Sequence, residues 1–592
     1  KQFCHELDWN PARTYVLAVD ADMELVMEAS FNKQVDLGLK GYSLTQKAGT
    51  LHYINARLLR IDSPWSCKGA THEYWDGPME ATLSDDKLWI NDKNDGGCKA
   101  DKYTRDRALL EKELIEQPTN VRTHFYLAQT YKCLELYELS ADMYKKRIAL
   151  GGWFEEVWYS YFMVAEQMLL LNKPEEAEMW VLKGQAYNNY RAEALYILVK
   201  YFRIKGQQWK AMHYYREAKR IPKPAVALFL QSDVYDHLLD YENTVLQFYV
   251  NPLHKEGLRA SMAYMLRDQC RPLLENVFSN MEFYVEPLLT GSDLQTLHLP
   301  AIEPYRASSC SSALHEGALV LNARYVNYSV SDKGDYSARD PENIVRTQNV
   351  FVPSIPKVLT EGVVAQFIVD DPALPSNPVN IMGLEDVRLY SEGSDLLYTA
   401  TSKSCTPTGL YRMVMGTYDP SANQFCRTRI LEPPYASECE KNWLIVPSSN
   451  NHSNHNNRSP LFVYKWHPFE AGSVNDANQL QITLRHNTPP YFQKLRGSAN
   501  GILVQDRIWC LTHVVKYGSP RKYYHHIVVL NKETLKPELI STPFYFRTHG
   551  IEYCLGFHLN GAKDGLILYV STFDANPQAA MMPLTAFEFM PV

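Results

Sequence analysis

None of the eleven cysteines forms a C-x-x-C pair, so the chain carries no local dithiol or zinc-ribbon spacing. Nor is there a long apolar run. "MLLLN" and "VALFL" fall far short of the ~20 residues a bilayer requires, and no membrane-spanning segment is expected. A basic stripe is missing too, and the net charge is −7, so nothing suggests a nucleic-acid footprint. The sequence opens at Lys1 with neither a methionine nor a signal peptide, as a processed or incompletely observed polypeptide would. Cys67, Cys98, Cys133, Cys439 and Cys554 sit beside apolar or aromatic residues and read as small buried hydrophobes. Three N-x-S/T sequons, at Asn327, Asn451 and Asn457, leave a cytoplasmic or a secretory compartment open.

At 592 residues the chain is too long for one hydrophobic core, and three or four domains are expected. It is rich in flat amphipathic rings, with 39 tyrosines and 11 tryptophans, which suit sugar stacking and protein interfaces equally.

Three regions stand out. Residues 1–100 mix short strand-like runs with polar turns. Residues 101–255 carry a repeat: "ADMY" begins at Ala141, "AEMW" at Ala177, "AMHY" at Ala211 and "VLQF" at Val245. Each quartet sets a small or branched residue three before an aromatic, and "FYLAQTY" supplies the matching first helix. A period near 34 residues made of two helices is the tetratricopeptide pattern, whose concave face suits a peptide or protein partner. Residues 256–300 read as a linker. From 301 to 592 the hydrophobic period falls to two, in runs such as "GILVQDRIWCLTHVV" and "GLILYVSTF". So many short strands with hardly a helix favour radial repetition or a large sandwich. The polar stretch "SSNNHSNHNNRS" reads as a solvated loop.

Within the first region, "TYVLAVDADMELV" places Asp20 and Asp22 just past a strand fit to be covered on both faces, where open α/β sheets bind ligands. "MELVMEA" could form a helix capped by an aspartate. Further on, "NARLLRIDSPWSCKGATHEYW" sets Arg57 and Arg60 on a strand, where they could meet phosphate oxygens bidentately, and then Gly69, His72 and Glu73 after a turn. Carboxylates and an imidazole suit Mn2+ or Mg2+ carrying a diphosphate.

The order "YVLAVDAD", "RLLR", "GATHEYW" and "DGGCKADKYTRDRALLEKEL", running into the repeats, resembles family 2 glycosyltransferases with appended repeats. That resemblance covers about 250 residues. It implies a GT-A fold in which Asp20 and Asp22 meet the nucleotide-sugar donor and its divalent ion. Gly69, His72 and Glu73 match the family's G-x-x-H-E, with His72 near the metal and diphosphate and Glu73 near the acceptor. Lys99, Lys102 and Arg105 match the segment that joins catalytic domain and repeats. A GT-A domain begins with a nucleobase-binding βαβ unit before its D-x-D, and here nineteen residues precede Asp20, so residues 1–100 would be the C-terminal part of that domain. Glu73 is the candidate base for the acceptor hydroxyl of a glycan or glycoprotein, with Asp76 behind it. Family members generally invert.

The strand-rich region has a constellation of its own: "GLEDVRLY", "CEKNW", "RGSANG" and "GIEYCLGFH". Glu385, Asp386, Arg388, Lys441, Trp443, Arg496 and Glu552 all stand beside strand-like runs, and a propeller would gather such residues at its central cavity. G-x-E-D-x-R resembles the five-bladed propellers of glycoside hydrolase/phosphorylase family 130, which act on β-mannosides. The resemblance implies that Asp386 lies in the sugar pocket as an acid and that Arg388 helps bind sugar or phosphate. Trp443 would stack on a sugar. The fold class expected is multidomain: a partial GT-A α/β domain, an all-α tetratricopeptide superhelix and an all-β five-bladed propeller. The function expected is sugar transfer with a second sugar-handling site; the alternative is a non-catalytic scaffold binding proteins or glycans.

Overall fold

The computed structural model describes residues 10–49, 51–71, 73–93, 102–251, 253, 255–267, 272–289, 293–360, 366–447 and 460–592. The chain divides into two compact units, residues 1–253 and 254–592.

The first unit opens with a sheet. Its strands are β1 (Tyr15–Leu17), β2 (Met23–Met27), β3 (Gly41–Ala48), β4 (Leu51–Arg60), β7 (Ala81–Thr82) and β8 (Leu88–Asp92), in the order β1-β4-β3-β8-β2 with β7 beside β3. A small hairpin of β5 (Ser66–Lys68) and β6 (Tyr74–Asp76) stands apart, and the short helix α1 (Lys33–Asp36) follows β2. Leu44, Leu58, Leu88 and Ile90 fill the sheet's core. Two local expectations change. Among the described residues β1 pairs only with β4, so it is a half-exposed edge strand and not one covered on both faces. "MELVM" is β2 and not a helix: its residues Met23 to Met27 pair in antiparallel register with Asp92 to Leu88 of β8.

Then come the helices α2 (Lys102–Glu116), α3 (Val121–Cys133), α4 (Tyr137–Leu150), α5 (Phe154–Leu170), α6 (Pro174–Tyr187), α7 (Glu193–Ile204), α8 (Gln208–Lys219) and α9 (Leu239–Val250). The pairs α3/α4, α5/α6 and α7/α8 are the repeat. Ala141, Ala177 and Ala211 recur on their second helices and are all buried at the helix contacts, with Phe125, Trp158 and Phe202 packed around them. Each pair turns on a left-handed residue at the same place: Glu135, Asn172 and Gly206 have φ of 58°, 57° and 74°. Each turn also closes by the same backbone bond, Leu136 N to Tyr131 O, Lys173 N to Met168 O and Gln207 N to Phe202 O. This is a Schellman cap reused three times. In the fourth repeat the chain forms β9 (Leu230–Gln231), which pairs with β4, and then a π-helical turn (Val234–Leu238) that runs straight into α9, while Phe229 inserts among Tyr53, Phe125 and Tyr159.

The second unit is a five-bladed propeller. Residues 256–300 are not a bare linker: the described part holds helices α10 (Lys255–Met265) and α11 (Leu274–Asn280) and strand β10 (Leu294–Thr296). Ion pairs Lys494–Glu275 and Lys522–Glu282 fasten this segment to the propeller. Blade 1 contains β11 (Arg306–His315), β12 (Ala318–Val326), β15 (Val345–Val352) and β16 (Ile381–Met382), with a side hairpin of β13 (Tyr328–Val330) and β14 (Tyr336–Ala338). Its loop after β15 carries helix α12 (Ile355–Thr360). Blade 2 is β17 (Glu385–Glu392), β18 (Asp395–Ser402), β19 (Arg412–Asp419) and β20 (Gln424–Leu431). Blade 3 is β21 (Leu444–Val446), β22 (Leu461–Trp466), β23 (Phe469–Val474) and β24 (Leu480–His486).

Blade 4 is β25 (Arg496–Val504), β26 (Arg507–Lys516), β27 (Lys522–Asn531) and β28 (Pro537–Ser541). Blade 5 is β29 (Glu552–Leu559), β30 (Gly565–Thr572) and β31 (Ala575–Pro583), completed by β10 from before blade 1. The final strand, β32 (Phe589–Pro591), adds to the outside of blade 4. Closing the last blade with the first strand ties the ring shut and leaves only short edges. Apolar clusters fill the seams between neighbouring blades, such as Val387 and Tyr398 against Val320, or Met413 and Met415 against Trp443.

Candidate functional site

In the first unit a cavity of about 900 Å3 lies between the sheet and the helices. Asp20, Arg57 and Glu73 line it, together with Lys102 and Arg105 from the start of α2. Arg57 is buried: it donates to Ala18 O at 3.0 Å, to Gln46 Oε1 at 2.9 Å and to Asp20 Oδ2 at 3.4 Å, while its Nε has no partner among the described residues. It therefore fixes the turn that carries Asp20. Arg60 is not among the lining residues; its guanidinium holds Asp62 and the Gly38 carbonyl instead. Glu73, exposed at the hairpin tip, accepts a weak hydrogen bond from Cys67. Asp76 is outside the lining and pairs with Lys68 across the hairpin.

Asp22 follows Asp20 in the turn and does not line the cavity, and His72 lies outside the described residues, as does Lys99. Among the described residues no group of three His, Cys, Asp or Glu side chains could hold an ion. The helices add what the sequence did not show. Arg122 from α3 lies over the rings of Tyr74 and Tyr126, 4.4 and 4.7 Å away, and within 3.9 Å of Glu156 from α5.

The propeller gathers the other constellation. Inner strands β11, β17, β25 and β29 all begin at one end of the axis, so the residues at their starts converge there. Gly383, with φ of 96°, lets β17 enter against β15: a Cβ there would sit 2.2 Å from Thr347 O. A bulge follows, in which Asp386 takes φ of 53° and the register with β18 shifts between Glu385 and Arg388. Bulges re-aim side chains at sites, and here the result is an ion pair. Arg324 of β12 donates to Asp386 Oδ1 at 2.9 Å, reaches Glu385 Oε2 at 3.6 Å and donates to the Tyr328 hydroxyl at 3.2 Å. Tyr328 in turn donates to Asp574 Oδ2 at 2.9 Å; burial pushes its phenol well up, which keeps it a donor. Lys441 stands 3.4 Å from Glu385 and 3.7 Å over the Tyr411 ring. Glu385 Oε1 and Arg324 Nε are buried with no hydrogen-bond partner among the described residues.

The other expected residues sit differently. Arg388 is fully buried and donates to Ser498 O, the Tyr553 hydroxyl and Asn442 Oδ1, so it pins three blades at the axis and has little left for a ligand. Arg496 is exposed and donates to the Tyr517 hydroxyl at 3.0 Å. Trp443 is enclosed in the seam of blades 2 and 3, its indole N–H on Glu440, and offers no face for stacking. Glu552 is buried and accepts the N–H groups of Phe546, Arg547 and Thr548. It staples a loop rather than meeting a ligand, although burial pushes its carboxyl up to about 7. Arg324, Tyr328 and Asp574 were not singled out from sequence. Arg324 had a signal: a lone cation inside the apolar run "ALVLNARYV" must find a partner if buried.

The expected burial of the cysteines changes in part, and Cys98 lies outside the described residues. Cys67, Cys133 and Cys439 are exposed, because each lies on a hairpin, helix end or loop outside the cores. Asn327 is buried, its amide bonded to Ile344 O and Arg346 N, so the folded sequon presents no acceptor. The other two sequons and the loop 448–459 lie outside the described residues.

No protein-family model matches the chain, and no curated protein does. Among solved structures, the β-1,2-mannobiose phosphorylase of Listeria innocua aligns at 12% identity over 50% of this chain and 95% of its own, with a TM-score of 0.34. A GH43_1 enzyme of Xanthomonas citri aligns at 10% identity over 50% and 90%, with a TM-score of 0.28. A thermophilic TPR protein of Thermus thermophilus aligns at 16% identity over 31% and 91%, with a TM-score of 0.23. Likenesses this distant leave the assignment to sheet topology and side chains.

Proposed function

We propose that this chain is a carbohydrate-active protein whose propeller binds a sugar at the Arg324–Asp386 end of its axis. One observation carries the reading: the buried, unpartnered Glu385 Oε1 and Arg324 Nε beside two further carboxylates, Asp386 and Asp574, a phenol and Lys441. Leaving such atoms unsatisfied costs stability, and sugar hydroxyls, each a donor and an acceptor, would satisfy both kinds at once. Asp386 is engaged as the acceptor of an ion pair, an arrangement that suits holding hydroxyls more than delivering a proton. Binding without turnover is therefore the form of the proposal. β-Linked manno-oligosaccharides are the ligands of choice, following the resemblance of G-x-E-D-x-R. Calorimetry with them, run beside a phosphorolysis assay, tests it.

The first unit supports a second reading, the family 2 transferase. It is favoured by Asp20, Arg57 and Glu73 sharing one cavity with Lys102 and Arg105. In this reading Lys102 and Arg105 attract an anionic nucleotide-sugar donor, Arg57 holds the Asp20 turn in place, and Glu73 accepts the acceptor hydroxyl's proton. The divalent ion, Mn2+ or Mg2+, belongs to the proposal through Asp20, Asp22 and His72. A donor screen by mass spectrometry tests it.

A further inference from the structure

The β13–β14 hairpin leaves blade 1 and touches blade 4, although in the ring blade 5 lies between them. Its tip is clasped. Arg521 donates its backbone N–H to Asp332 O at 2.9 Å, and its guanidinium lies against Gly334, where a Cβ would come within 2.4 Å of the guanidinium carbon. Gly334 has φ of 85° and is buried, while its neighbours Lys333 and Asp335 are exposed. The clasp continues into blade 4: Arg521 lies over the Tyr517 ring, and Arg496 donates to the Tyr517 hydroxyl. At the hairpin's base Tyr336 packs edge-on against Tyr328, ring centres 4.9 Å apart. Tyr328 is the residue that joins Arg324 to Asp574. The hairpin thus begins at the charged constellation and ends fastened on the far side of blade 5.

We propose that this hairpin is a strap that determines specificity: it covers the Arg324–Asp386 end of the axis on the side of blades 1, 5 and 4. A bound chain then leaves past Lys441, in the connection before blade 3. There a cleft of about 380 Å3 continues from Lys441 and Arg496 toward Lys465 and His467. A site covered on one side and open along one cleft accepts the end of a glycan and excludes its interior. Tyr336 and the Arg521–Gly334 clasp are the residues that set this limit. The choice of glycan rests on the sugar-binding proposal; the strap itself does not.

Two measurements on the full chain separate these. Trypsin cleaves after Lys333, in the strap's tip. Arg521→Ala, or Gly334→Val with its forced clash, should raise that cleavage rate at least tenfold while the circular dichroism of the propeller is unchanged. Equal cleavage in wild type and both variants overturns the strap, whether or not any sugar binds. The second measurement uses β-1,4-mannobiose and soluble linear β-mannan as probes. Wild type should bind the disaccharide and bind mannan only in proportion to its chain ends; the variants should bind mannan at least tenfold more tightly at unchanged disaccharide affinity. Mannan binding that ignores chain ends in wild type overturns the end-on site. If no probe binds, the glycan reading fails, and cleavage after Lys333 alone decides the strap.

Discussion

Arg324 and Asp386 meet at 2.9 Å between blades 1 and 2, both largely shielded from solvent. The cation that the motif itself carries is Arg388, two residues from Asp386. Arg388 is instead consumed at the axis, and a cation 62 residues upstream takes its place. Because Arg324 serves two carboxylates and a phenol, its removal strands buried charge. Arg324→Met should destabilise the propeller by about 3–5 kcal/mol, whereas Asp386→Asn, which keeps an acceptor beside the guanidinium, should cost no more than about 1–3 kcal/mol. Denaturant unfolding of the two variants checks the order. Equal costs would mean that Arg324 does not carry the cluster.

Acidification should weaken blade 4. His526 is buried, with Nδ1 on Ser541 O and Nε2 on the Tyr491 hydroxyl, so the neutral ring donates at one nitrogen and accepts at the other. Burial lowers its pKa to about 4, and burial with the charges of Arg496 and Arg388 lowers His513 to about 3. Below the ordinary histidine range near 6.5 the unfolded chain takes up protons that the folded chain refuses. Stability is then full above pH 6.5 and falls as pH drops toward 4, by on the order of 2 kcal/mol per histidine at pH 5. His526→Phe should lose stability at pH 7, through the stranded Tyr491 hydroxyl and Ser541 carbonyl, yet show a shallower acid limb. Thermal unfolding from pH 7.5 to 5 reads both; an unchanged limb would contradict the neutral-ring account.

Ala177 is fully enclosed between helices. Ala177→Trp should overpack that contact and cost about 1–3 kcal/mol, read by the helical ellipticity transition of the first unit. No loss of stability would mean that the repeat contacts do not close there.

These cases show what was legible. The repeat was, because a small residue every 34 positions or so has one packing explanation, and Ala141, Ala177 and Ala211 all take that position. The short strands of the propeller were legible for the same reason of period. Orientation was not. Trp443 and Glu552 stand at strand starts just as Asp386 does, but the bulge and the φ of 53° at Asp386 turn only that side chain toward Arg324. Pairing across blades was equally hidden, since Arg324, Tyr328 and Asp574 meet only when the ring closes. In the first unit, Arg122 and Glu156 reach the cavity through helix packing, so no motif within residues 1–100 could have named them.

For the transferase reading, Asp20→Asn and Asp22→Asn should each abolish metal-dependent turnover of a nucleotide-sugar donor. Asp20→Asn should also loosen Arg57, which now holds that carboxylate. Donor consumption with and without a chelator, followed by mass spectrometry, is the check. Rates indifferent to both chelator and substitution would remove the ion from the account.

The central claim, that the propeller recognises sugar at Arg324, Glu385 and Asp386, is tested most directly by titration calorimetry with β-1,4-mannobiose. Wild type, Asp386→Asn and Trp443→Phe should be compared, with free phosphate present in a parallel phosphorolysis assay. The account predicts saturable heat for wild type and for Trp443→Phe, at least a tenfold weaker response for Asp386→Asn, and no sugar phosphate formed. Binding lost with Trp443→Phe but kept with Asp386→Asn would contradict it, as would heat that is absent from wild type across a panel of glycans.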